Sequence, residues 1–223
     1  GRYFNAGPYE GETYQSRLYQ PHTLQWINYG LIPGNPPDPA YGLPGAYPSS
    51  AMIVALDAQG ENPRAFAARS GGSVRLDKDQ QGNIYYATEK TQILELKTDG
   101  SNPYWQKLPS GGPNPGLMNQ RRVNHQMMAL PTREFAVVNG NEFGKYNELP
   151  GGIPTGFRKP EIFSFNAWLS NPQNGSWTAY DPPAVEDQIT RGYHSAAVLL
   201  KDGRIAVMGG EPNVVGQRKV QFW

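Results

Sequence analysis

Short apolar runs separated by polar turn clusters recur along the chain. From Ser195 to Leu200 the residues are small or apolar, Asp202 and Gly203 supply a turn, and Ile205 to Met208 form a second run closed by Gly209 and Gly210. Two such runs across an Asp-Gly turn predict a β-hairpin. The same unit stands earlier as HQMMALPTREFAVVNG, from His125 to Gly140. Its turn falls at Pro131 to Arg133, and its last glycine lies about 70 residues before Gly210. A looser third copy, SSAMIVALDAQGENPRAFAARSGG, runs from Ser49 to Gly72, with its glycines about another 70 residues upstream.

After a polar connection, each of the two upstream copies is followed by a strand and then by an aromatic near a turn. Ile93 to Leu96 precede Trp105, and Ile162 to Phe165 precede Trp177. Trp26, after Tyr14 and Leu24, fits the same place in a preceding unit. Self-similarity at a fixed period, punctuated by Gly and Trp, predicts an all-β fold: about three blades of a kelch-type β-propeller, enlarged by insertions. The alternative is a generic β-sandwich. No segment predicts a helix of consequence. The 26 glycines and 21 prolines sit between apolar runs rather than in one block. Leu31 to Pro48 and Leu149 to Pro160 read as turn-rich insertions. They lie either on a propeller face, where pockets and partner surfaces are built, or as solvated loops.

The 223 residues suffice for one sizeable core, and no shift in composition marks a second domain. Residues 1–223 therefore read as one partial β-propeller domain. The sequence starts without Met in the middle of a unit and ends at Val220 to Trp223 in a strand-like run. Blades ending abruptly would leave open sheet edges, so the expectation is a piece of a longer polypeptide. A net charge of +1 with scattered basic residues gives no electrostatic footprint for nucleic acid. Arg121-Arg122 and Arg158-Lys159 are read as surface or rim charges. No run of about 18 apolar residues exists to span a membrane. The absence of Cys excludes disulfides, thiolate metal sites and Cys nucleophiles within these residues.

Candidate chemistry centres on three histidines, His22, His125 and His194. His125 and His194 open hairpin units at equivalent places, before the inner strand that in a propeller lies beside the central axis. Each is either a hydrogen-bonded structural histidine or a ligand. Ser195 follows His194 directly, and neighbours on a strand point to opposite faces, which argues against a nucleophile and base pair. A closed zinc site needs more Cys or His ligands than the chain offers. Neutral imidazole suits copper, and a phenolate joins it once the metal displaces a proton normally lost at a pKa of about 10. Tyr193 and His194 can share one metal only on an irregular turn leading into the strand, which Gly192 would permit.

These residues resemble the galactose oxidase and glyoxal oxidase group of copper radical oxidases. Arg191-Gly192-Tyr193-His194-Ser195, followed by Leu199 to Arg204 and Gly209, is similar to that group's R-x-Y-H-S, L-L-x-D-G-R, G signature. Gly1 to Pro8 (GRYFNAGP) is similar to a strand ending in Ala-Gly-Pro. His125 with Leu130-Pro131 and Val138-Asn139-Gly140 is similar to the preceding blade. The resemblance implies a seven-bladed propeller with one axial copper held by two tyrosines and two histidines. Tyr193 would be the axial tyrosine, able to take the alcohol proton, and His194 an equatorial ligand. His125 would lie on the substrate side as a possible pocket residue.

By the same resemblance, the radical tyrosine, bonded covalently to a cysteine, belongs to blades before Gly1. The second histidine belongs to an immunoglobulin-like domain beyond Trp223. Those blades and that domain are then partners in the same or an associated chain, and the tyrosyl-cysteine cofactor is not encoded here. The implied function is part of a secreted, extracellular or cell-surface oxidase that takes a small alcohol, aldehyde or carbohydrate and O2 to H2O2. Copper would act as redox centre and Lewis acid, and a tyrosyl radical would take a hydrogen atom. Asn124 stands where the galactose enzymes have an aromatic, which disfavours galactose. The alternative is a noncatalytic propeller used in extracellular binding, adhesion or structure. Its aromatic insertions suit carbohydrate or protein contacts.

Overall fold

The hairpin units seen in the sequence fold into antiparallel sheets that meander in chain order. The computed structural model describes residues 3–5, 15–31, 49–55, 64–73, 87–96, 106–107, 116–142, 148–149, 153–154, 159–181, 189–210 and 220–223. The first sheet joins β1 (Tyr3–Asn5), β2 (Gln15–Gln20) and β3 (Gln25–Leu31). The second runs β4 (Ser49–Ala55), β5 (Arg64–Ser70), β6 (Thr91–Leu96) and β7 (Gln106–Lys107). In the third, β8 (Val123–Ala129) pairs with β9 (Phe135–Asn141). After a separate small hairpin of β10 (Glu148–Leu149) and β11 (Ile153–Pro154), the third sheet is completed by β12 (Glu161–Phe163) and β13 (Trp177–Ala179). The last sheet contains β14 (Ser195–Leu199), β15 (Ile205–Gly209) and β16 (Gln221–Phe222).

The second, third and last sheets stack through their apolar faces, and β9 shows why its sequence FAVVNGN lacks alternation. Phe135 and Val137 face the second sheet, in a core with Phe66, Ile93, Phe163 and Trp177. Ala136 and Val138 face the last sheet, against Ile205 and Val207. A strand covered on both faces reads as a continuous apolar run, whereas β14 is covered on one side only. In β14, Ala197 and Leu199 pack inward while Ala196 and Val198 are exposed. The first strands of neighbouring sheets also meet, β4 against β8 and β8 against β14. This places the starts of the hairpin units at the inner side of a propeller-like array.

Trp177 links two sheets by more than packing, since its Nε1–H donates to Thr91 Oγ1 at 2.9 Å. Each large side chain buried in this core stabilises the fold by about 1.5–3 kcal/mol.

Several expectations change. The residues after Phe163 do not continue the strand: Phe165–Ser170 form a short helix, α1, followed by a 3-10 turn at Pro172–Asn174. No side-chain cap starts α1. It is held by Phe165 and Trp168, which lie against the Phe66 ring. Packing therefore overrides the weak propensity of six residues. Trp26 lies within β3 and is exposed, so it is not the counterpart of buried Trp177. Arg122, read as a rim charge, is fully buried and ion-paired with Glu161 at 2.8 Å. Trp105, Arg158 and most of the two long insertions lie outside the described residues.

Candidate functional site

Tyr193 and His194 sit on a β-turn that leads into β14. The Ser195 N–H donates to the Gly192 carbonyl at 3.0 Å, which puts Tyr193 and His194 at the two central positions. His194 has φ of 60°, in the left-handed region. That region costs about 1–2 kcal/mol for residues other than glycine, although Asn, Asp and His adopt it more often than most. The sequence suggested Gly192 as the residue permitting the turn. Gly192 is not among the positive-φ positions, and His194 itself supplies the reversal.

The turn removes the objection that neighbours on a strand diverge. The phenol and imidazole rings lie side by side, with centroids 3.9 Å apart and planes inclined at 31°. His194 is exposed and Tyr193 half-buried. A phenol and an imidazole presented together on an accessible turn fit half of a copper donor set. Among the described residues, no cluster of three or more His, Asp or Glu comes together to complete it.

The turn is closed from β15. The Gly210 N–H donates to the His194 carbonyl at 3.2 Å. Gly209 has φ of 71°, and a Cβ there would come within 2.8 Å of that carbonyl oxygen. Both the backbone angle and the space therefore require glycine. Arg191, immediately before the turn, is buried. Its Nε donates to Gln221 Oε1 at 2.9 Å and its Nη1 to the Gly209 carbonyl at 2.6 Å.

His125 occupies a different environment. It lies on β8, 5% exposed, with Nε2 at 3.1 Å from Ser70 Oγ on β5. Its Nδ1 meets no hydrogen-bond partner among the described residues. Burial first, and the Arg122 charge second, push its pKa down to about 3 against a partial offset from Ser70, so the imidazole stays neutral. The space around it is tight, because a Cβ on Gly71 would lie 2.6 Å from its Cε1.

The two histidines do not occupy equivalent places. Leu130 and Leu200 make the same turn bond, to the carbonyls of Glu134 and Arg204, each at 2.8 Å. Five residues before each lie His125 and Ser195. The residue before those, Asn124 or His194, is left-handed in both units, with φ of 57° and 60°. Counted from the arginines, however, both units read Arg-x-x-His, so the later unit holds one additional residue. His125 thus packs between sheets, while His194 stands on the turn. Sequence reasoning missed Arg122 and Arg191 as buried anchors, although their shared Arg-x-x-His spacing was a usable signal.

No protein-family profile matches the chain. It is 25% identical over 190 residues to the aldehyde oxidase GLOX of Vitis pseudoreticulata, covering 82% of the chain and 31% of that protein. A solved structure described as a novel fungal alcohol oxidase with catalytic diversity among the AA5 family, in complex with copper, superposes with a TM-score of 0.64. It covers the whole chain and 38% of its own length, at 22% identity. The chain resembles the galactose oxidase and glyoxal oxidase group. It spans about a third of the length of these relatives. The similarity extends to the all-β, propeller-like fold, within which the described sheets are placed.

Proposed function

We propose that the chain contributes Tyr193 and His194 as two ligands of a copper oxidase site. The reaction converts a primary alcohol to an aldehyde, or a hydrated aldehyde to an acid, and passes two electrons and two protons to O2 to give H2O2. The observation that carries this reading is the turn itself, which brings a phenol and an imidazole to 3.9 Å between ring centroids on an accessible surface. Sequence similarity to an aldehyde oxidase and structural similarity to a copper-containing alcohol oxidase support it.

Tyr193 Oη and a ring nitrogen of His194 would hold the metal. Copper, when bound, would supply a redox centre and a Lewis acid for the substrate oxygen. The Tyr193 phenol oxygen is assigned the proton of the substrate hydroxyl, the role that the family resemblance implies for it. His125, 5% exposed and packed between sheets, would at most back the wall on the substrate side, and a pKa near 3 makes it too weak a base for proton transfer at neutral pH. With no cysteine among the 223 residues, this reading requires the tyrosine-cysteine pair to be encoded elsewhere.

The test is copper content and peroxide release by the full-length protein, supplied in turn with simple alcohols, aldehydes and sugars. Tyr193→Phe and His194→Ala should each lower peroxide release by about 100-fold or more, the scale of losing a positioned acid or base. Peroxide release that is unchanged in both variants would sink the assignment. A protein that takes up no copper would point instead to a noncatalytic propeller.

A further inference from the structure

We propose that Arg191 is the positioning residue of the Tyr193–His194 pair, fixing both ends of its turn to neighbouring strands; this rests on the copper reading above. A guanidinium cannot shed its charge in a protein, so one that is 1% exposed must find its partners inside. Arg191 finds one on each of two strands. Nη1 donates to the Gly209 carbonyl on β15, and Nε donates to Gln221 on β16. Its own carbonyl accepts from the Gly140 N–H at 2.6 Å, on the preceding sheet. The residue immediately before the turn is therefore held from three directions. Gly209, which Arg191 grips, is also the residue packed against the His194 carbonyl.

The preceding unit supplies an internal control. Arg122 makes the matching bonds: Nη1 to the Asn139 carbonyl at 2.7 Å, and its carbonyl from the Gly72 N–H at 2.8 Å. On the third strand Glu161 stands where Gln221 stands, each paired with the valine of the second strand that precedes the gripped carbonyl by two residues. The bracket thus recurs where no Tyr-His turn exists. What differs is the additional residue in the later unit. Between fixed anchors, a surplus residue has to leave the plane of the strand, and the resulting turn sets the two rings side by side. Anchors of this kind orient ligands without touching the metal.

The experiment uses Arg191→Lys and the milder Gln221→Ala in the full-length protein. In the metal-free state, amide hydrogen exchange at Ser195 and Gly210 reads the turn, with Gly203 at the hairpin tip as reference. Exchange at those two amides should accelerate about tenfold or more in Arg191→Lys, and less in Gln221→Ala, with Gly203 unchanged. In parallel, Cu(II) competition titration should show affinity lowered about 10- to 100-fold in Arg191→Lys, with an altered Cu(II) EPR spectrum. Exchange, affinity and spectrum that match the unaltered protein in both variants would overturn the role of Arg191. If the unaltered protein binds no Cu(II), the copper reading falls, and the amide exchange still decides whether Arg191 holds the turn.

Discussion

The hairpin units that begin at Arg122 and Arg191 are built on one frame and put their histidines to opposite uses. Each has a buried arginine, a left-handed residue directly before the position five residues ahead of the turn leucine, a hairpin turn and two left-handed residues at the close of the second strand. Those closing pairs are Asn139-Gly140 and Gly209-Gly210, with φ of 61° and 94° in one and 71° and 118° in the other. In the earlier unit the histidine enters the strand and disappears between sheets. In the later one, a single surplus residue keeps the histidine on the turn beside a tyrosine. A length change inside a fixed frame thus moves a histidine from the interior to an accessible turn, without new anchors.

The largest effect should come from breaking the earlier bracket. Glu161 accepts from Asn119, Gln120 and Arg122 and is fully buried. Arg122→Met would strand its carboxylate without its cationic partner, at a cost of about 3–5 kcal/mol in chemical denaturation. A loss below 1 kcal/mol would mean that the ion pair is not structural.

Acid should separate the units next. His125 binds its proton only near pH 3 in the folded state, against an ordinary value near 6.5 when unfolded. The unfolded chain thus holds more protons between these values, and the contribution of His125 to stability is lost as pH falls through that window, by about 1.4 kcal/mol per pH unit. The groups bearing on it are Arg122, whose charge opposes protonation, and Ser70, which favours it. His125→Gln should flatten the acid limb of stability against pH; an unchanged slope between pH 6 and 4 would assign that limb to other groups. The equivalent position in the later unit, Ser195, carries no titrating group.

A smaller effect is expected at the close of the later unit. Gly209→Ala meets both an unfavourable φ and the His194 carbonyl, and should cost about 1–3 kcal/mol. Its counterpart Asn139 already tolerates φ of 61°, helped by an Nδ2 bond to Gln126 at 2.6 Å. Thermal unfolding that is indifferent to Gly209→Ala would show that the His194 carbonyl can move aside.

Much of this was legible because hairpins announce themselves locally. Apolar runs and Asp-Gly or Pro-Thr-Arg turns placed β8, β9, β14 and β15 within a residue or two, and the looser copy spans β4 and β5. The helix at Phe165–Ser170 was not legible, since Phe165 and Trp168 are apolar residues whose burial is decided by the facing sheet. Arg122 looked like surface charge because its partner, Glu161, stands 39 residues away. The mistaken equivalence of His125 and His194 came from setting each at the head of its apolar run. Counting back from the hairpin turn exposes the surplus residue. The Tyr193–His194 pair was legible as chemistry, whereas the left-handed backbone at His194 that brings the rings together is a property of the closed hairpin.

The bonds from Gly72 to Arg122 and from Gly140 to Arg191 have a further consequence. Each runs from the end of one sheet's second strand to the threshold of the next sheet, like a stitch. A fault at such a strand end would be felt not only in its own hairpin but also where the following sheet begins. Gly140 is thereby a neighbour of the Tyr193 turn by inheritance, although 53 residues separate it from that tyrosine in the chain.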